Sequence, residues 1–164
     1  MNKISHRIVL LVVLILLCTA FIFSNSLKNG EESQADSDVI MEIVERIAEV
    51  IFPNNTLDWN YIVRKGAHLF EFCVLGILVT LLAFLCKHRR GTAVVYALLY
   101  VAFVASADEF IQRFTGRSSR LADVGIDITG ALIGFGLVWA VRWAIKRRQS
   151  KKIDFQENEY AVGE

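Results

Sequence analysis

Thr92 to Gln112 reads TAVVYALLYVAFVASADEFIQ: sixteen residues without a charge, then the adjacent carboxylates Asp108 and Glu109. About twenty apolar residues is the length at which a helix crosses the roughly 30 Å hydrocarbon core of a bilayer. Carboxylates at the edge of such a run are costly to desolvate, so where they occur they are usually paired and functional.

Three further runs have the same length and character: Ile8 to Leu27, Ala67 to Cys86, and Val124 to about Ile145. The strictly apolar part of the first stops at Phe23, so it needs Ser24 to Leu27 to reach full depth. The composition agrees, because 164 residues that are 54% hydrophobic, with mean hydropathy +0.44 and one proline, carry more apolar surface than a soluble domain of this size hides. A soluble helical bundle would show polar residues at helical period, and Ile8 to Phe23 shows almost none. The predicted fold is therefore all-α, a bundle of four transmembrane helices over residues 1–149, with a disordered, acidic cytoplasmic tail over 150–164.

Basic residues near the helix ends give the orientation. With the N-terminus inside, eleven Lys and Arg fall on the inner side, among them Lys3, Arg7, Lys87, Arg89, Arg90 and Lys146, against seven outside. Both termini are expected to be cytoplasmic, in a bacterial cell membrane. The first run follows a basic lead, as in a signal peptide. However, Cys18-Thr19-Ala20, the nearest cleavage-like triplet, lies inside the apolar run, so the segment reads as an uncleaved anchor.

In that topology the polar residues gather at the outer face. Lys65, His68 and Glu71 stand at the start of the second run, Asp108, Glu109 and Gln112 at the end of the third, and Asp123 and Asp127 at the start of the fourth. An antiparallel bundle brings those three ends together. Helical spacing sets which side chains share a face: Lys65, His68 and Glu71 are three apart, while Asp108 and Gln112, like Asp123 and Asp127, are four apart. The stripe on the fourth helix continues through Gly130 and Gly134, a G-x-x-x-G spacing that admits close approach of a neighbouring backbone.

The outer loop, residues 28–66, begins polar and acidic. Over about 37–52 it places Ile40, Ile43, Val44, Ile47, Val50 and Ile51 at helical spacing. This predicts an extracytoplasmic amphipathic helix between the first and second spans, capped by Asp36 or Ser37 and ended at Pro53-Asn54-Asn55. Trp59 and Tyr61, and Trp139 and Trp143, fit aromatic belts at the two interfaces. The basic stretches Lys87 to Gly91 and Lys146 to Lys152 adjoin membrane helices and read as topology signals rather than as a nucleic-acid surface. Three cysteines, all within apolar runs, do not form a disulfide framework. The chain has no P-loop, no G-x-S-x-G and no dinucleotide fingerprint, so no cofactor is evident.

The elements Arg64-Lys65-Gly66-Ala67-His68-Leu69-Phe70-Glu71, then Asp108-Glu109-Phe110-Ile111-Gln112 with Arg117, then Asp123-Val124 with Asp127 and Gly130, resemble the VanZ-like family of small bacterial membrane proteins. That family carries K-x-x-H-x-x-E/Y, D-E-x-x-Q followed by an arginine, and D-x-x-x-N/D-x-x-G on about four spans. The resemblance runs from about Ser24 to Gly134. It implies a cell-envelope role linked to low-level resistance to the lipoglycopeptide teicoplanin, by a route independent of remaking the peptidoglycan precursor terminus. Two departures stand out: Phe114-Thr115-Gly116 replaces the usual proline-glycine pair, and Asp127 stands where many members have asparagine.

Glu71, Asp108, Glu109, Asp123 and Asp127 outnumber Lys65 and Arg117, and so many carboxylates share a partly dry pocket only if protons or cations balance them. Three readings follow. In the first, the groups form a structural ion-pair network with no ligand. In the second, the pocket binds the headgroup of an envelope lipid or lipoglycopeptide, with Lys65 and Arg117 on anionic groups and the acids and Gln112 on hydroxyls or amines. In the third, it is a membrane-embedded enzyme acting on a lipid-linked substrate, with His68, Glu71, Asp108 and Glu109 as catalytic candidates. In a metal-assisted version His68, Glu71, Glu109 and Asp127 are candidate ligands, and an oxygen-rich set with one histidine suits calcium, magnesium or manganese rather than zinc. Binding is favoured over catalysis.

Overall fold

The computed structural model describes residues 3–28, 44, 46, 59–86, 90–115 and 121–162. It contains four long helices: α1 Lys3–Leu27, α2 Trp59–Leu85, α3 Arg90–Phe114 and α4 Leu121–Val162. No strand occurs among the described residues. Each helix is long and apolar enough to cross a membrane, over Ile4–Leu27, Tyr61–Leu85, Gly91–Phe114 and Ala122–Lys151. The amphipathic helix expected over 37–52 lies outside the described residues except for Val44 and Arg46, both helical.

Two boundaries differ from the sequence reading. α2 begins at Trp59 rather than near Ala67, because hydropathy marks where a chain turns apolar, whereas a helix starts wherever backbone hydrogen bonding can begin, here in the interfacial stretch. Lys65 therefore sits within the helix instead of leading it. α4 stays helical to Val162, through the stretch expected to be a disordered tail. Between Leu137 and Val162 there is no glycine or proline to stop it.

The core is built mostly from α2 and α3. Phe72, Leu75 and Val79 of α2 meet Ala97, Val101, Val104 and Ala105 of α3, joined by Ile15 and Ile22 of α1 and Ala131 of α4. α1 and α4 flank this pair, each packing on both of its members. Leu10, Leu16 and Leu17 on α1 are more than half exposed, as expected for a face turned to lipid tails.

The most extensive helix contact is α2 on α4, and glycines explain it. A Cβ at Gly130 would overlap the Leu69 carbonyl oxygen, one at Gly134 the Cys73 carbonyl oxygen, and one at Gly76 the Ala131 backbone. Hydrogen in place of a side chain lets the two backbones touch. Gly130 meets Leu69 and Gly134 meets Cys73, four residues on in both helices, so α2 and α4 run parallel in one fixed register.

Candidate functional site

That register positions the polar end. Two turns before Gly130 on α4 lies Asp123, and one turn before Leu69 on α2 lies Lys65. They form an ion pair of 2.6 Å, with the lysine side chain 10% exposed and the aspartate 4%. The Lys65 ammonium also lies 5.7 Å from the centre of the Tyr61 ring, one turn earlier on α2.

From α3, Asp108 is fully buried, and Glu109 and Gln112 are each no more than 5% exposed. Gln112 Nε2 donates to Asp108 Oδ2 at 2.7 Å, the pairing that their spacing of four predicts. His68 of α2 stands between two carboxylates, its Nδ1 3.8 Å from both Glu71 Oε2 and Asp108 Oδ2. At that length these are charge contacts rather than direct hydrogen bonds. Asp127 of α4, 3% exposed, is within electrostatic reach of Lys65, Asp108, Glu109 and Asp123. The ends of α2, α3 and α4 thus converge on one buried cluster. Arg117 lies outside the described residues.

The sequence reading missed the part played by α1. Asn25 Nδ2 donates to Glu71 Oε1 at 2.8 Å, and the buried Ser26 hydroxyl accepts from Gln112 Nε2 at 3.3 Å. The Thr115 hydroxyl, just past the end of α3, is 3.2 Å from the Ser26 carbonyl and 3.1 Å from the Gln112 carbonyl, joining the ends of α1 and α3. The signal was present as Ser24-Asn25-Ser26 closing an otherwise apolar run. By hydropathy alone that triplet only lengthens the span. The cluster therefore draws on four helices, not three.

Electrostatically the site is lopsided. Among the described residues, Lys65 is the cation of a cluster that also holds Glu71, Asp108, Glu109, Asp123 and Asp127. Asp127 is almost fully buried beside Asp108, Glu109 and Asp123, with Lys65 as the opposing charge. Burying a carboxylate in this way is unfavourable unless something supplies a donor or a positive charge. Among the described residues, no three His, Cys, Asp or Glu side chains are arranged to hold a metal ion. The three cysteines are unbridged.

A family model described as VanZ/LLP1 matches residues 10–142, which spans all four helices and the whole cluster. No curated protein and no solved structure matches the chain.

Proposed function

The chain belongs to the VanZ/LLP1 family, and from that premise we propose that its polar end binds the headgroup of an envelope lipid or of a lipoglycopeptide such as teicoplanin. The protein is then a multi-pass component of the bacterial cytoplasmic membrane, with both termini inside and the cluster facing outward. One observation carries the reading: among the described residues, five carboxylates share one site with a single lysine, Lys65, which is already paired with Asp123. A headgroup bearing amines and hydroxyls supplies the donors that this set lacks. Lys65 and Arg117 then hold its phosphate or carboxylate.

The test is ligand-dependent stability of the purified full-length protein in detergent. Teicoplanin, and lipids with and without an amine in the headgroup, are added one at a time while the apparent Tm is followed. A ligand at a hundred times its Kd stabilises by about 2.7 kcal/mol, a shift of several degrees. Arg117→Ala or Asp127→Asn should abolish it. No shift with any of these compounds overturns the reading.

His68 between Glu71 and Asp108 also has the form of an acid–base pair. Turnover of a headgroup-labelled lipid, lost in His68→Ala, would assign catalysis to the same site.

A further inference from the structure

α3 packs on α1, α2 and α4, and what it leaves uncovered is a narrow stripe. From Leu99 to Arg113 its exposed residues are Leu99, Phe103, Ser106, Phe110 and Arg113, alternately four and three apart, and Tyr96 continues the series toward the other end. That alternation is the 3.5-residue period that keeps two helices face to face along a left-handed supercoil. Tyr96, Phe103 and Phe110 stand one heptad apart, with Leu99 and Ser106 between them. α1 offers the contrast: Val9, Leu10, Val12, Val13, Leu16 and Leu17 are all exposed, a broad aliphatic face that lipid tails cover without any matching of shape.

The stripe on α3 has relief as well as period. Ser106 is the small residue between two rings, and its hydroxyl donates to the Ala102 carbonyl oxygen at 2.8 Å, so it brings no unmet donor to an apolar surface. It leaves a notch between Phe103 and Phe110. Phe114, one turn past Phe110, meets that ring edge to face with centroids 4.9 Å apart, which widens the end of the stripe. In a bilayer lipid tails cover apolar surface as well as protein does, so helices associate where their surfaces interlock around small residues. Tyr96, Phe103, Phe110 and Phe114 are 61–77% exposed, which at roughly 200 Å² for a whole aromatic side chain leaves about 500 Å² of ring per copy. Two such stripes remove about 1,000 Å² on meeting, the size from which a specific interface begins.

We propose that this stripe is the seam of a parallel homodimer, α3 against α3 of a second copy. Copies inserted in one orientation meet along this stripe in parallel, each residue opposite its own counterpart about a two-fold axis normal to the membrane. At this period a parallel seam places the Phe103 ring of one copy in the hole framed by Leu99, Phe103 and Ser106 of the other. Tyr96 to Phe110 covers about 21 Å at 1.5 Å per residue, inside the roughly 30 Å hydrocarbon core. Arg113 follows at the polar edge, where water and salt screen it from its counterpart. Because Glu109 and Phe110 are adjacent on α3, the dimer sets the two polar clusters side by side.

The test is the oligomeric state of the full chain in liposomes at falling protein-to-lipid ratio, read by energy transfer between copies that carry donor or acceptor dye on an N-terminal tag. A dimer is expected. Ser106→Leu adds a side chain that lipid accepts but that fills the notch, so it should weaken dimerisation at least tenfold, as should Phe103→Ala/Phe110→Ala. Leu10→Ala/Leu17→Ala on α1 should leave it unchanged. A second readout is independent of affinity: in a chain carrying Cys18→Ala, Cys73→Ala and Cys86→Ala, Ser106→Cys should give a disulfide-linked dimer on oxidation in the liposomes, and Leu17→Cys none. A monomer at every ratio, its stripe covered by lipid, overturns the proposal. So does a dimer that folded Ser106→Leu leaves intact, or cross-linking through Ser106→Cys no greater than through Leu17→Cys. If Ser106→Leu does not fold, the alanine pairs and the cross-link still decide. None of these outcomes requires a ligand at the polar cluster.

Discussion

At the scale of single residues, the Lys65 to Asp123 contact is the clearest case of charge placed by packing. A buried pair of this kind gives little net stability against an apolar pair of the same shape, because desolvation offsets the attraction, yet removing one partner strands the other. Lys65→Met is therefore expected to cost about 3–5 kcal/mol. Lys65→Met/Asp123→Asn should recover more than half of that loss. Reversible unfolding in mixed micelles measures both, and a double variant no better than the single one would show that the pair is not the source of the cost. Asn25→Ala removes the donor to Glu71 Oε1 and should lower stability by about 1–3 kcal/mol, the range for leaving a buried acceptor unmet.

At the scale of elements, the α2–α4 seam controls where the charged groups fall. Gly130→Val forces a side chain into the Leu69 backbone, so the helices must separate or shift register, and Asp123 would then miss Lys65. The expected result is protein that inserts but is degraded in cells, with low yield and an early thermal transition after extraction. Gly125→Ala is the control. A Cβ there meets nothing within 4 Å, and replacing a helical glycine by alanine should add roughly 0.5–1 kcal/mol. Should both variants behave alike, the seam is not what holds the register.

At the scale of the whole molecule, the proposed topology of four spans puts both termini in the cytoplasm. Fusions of a fluorescent reporter that matures only in the cytoplasm are expected to glow at either end, and a fusion after Leu27 should stay dark. The two ends of the bundle also differ in how closed they are. The acidic end is enclosed by four helices, whereas the basic end keeps an open groove.

The sequence alone determined the helical class, the four spans and the gathering of Lys65, His68, Glu71, Asp108, Glu109, Gln112, Asp123 and Asp127 at one end, because hydropathy, span length and periodicity of 3.6 are local properties of the chain. It also showed that Gly130 and Gly134 share a face with the two aspartates. Tertiary packing alone brings this face against Leu69 and Cys73, sets Asp123 on Lys65, holds His68 between Glu71 and Asp108, and adds Asn25 and Ser26 to the cluster. Periodicity fixes which side chains leave a helix together. Which surface of another helix they meet is set by the close packing of many side-chain volumes at once, a property that no short stretch of sequence carries by itself.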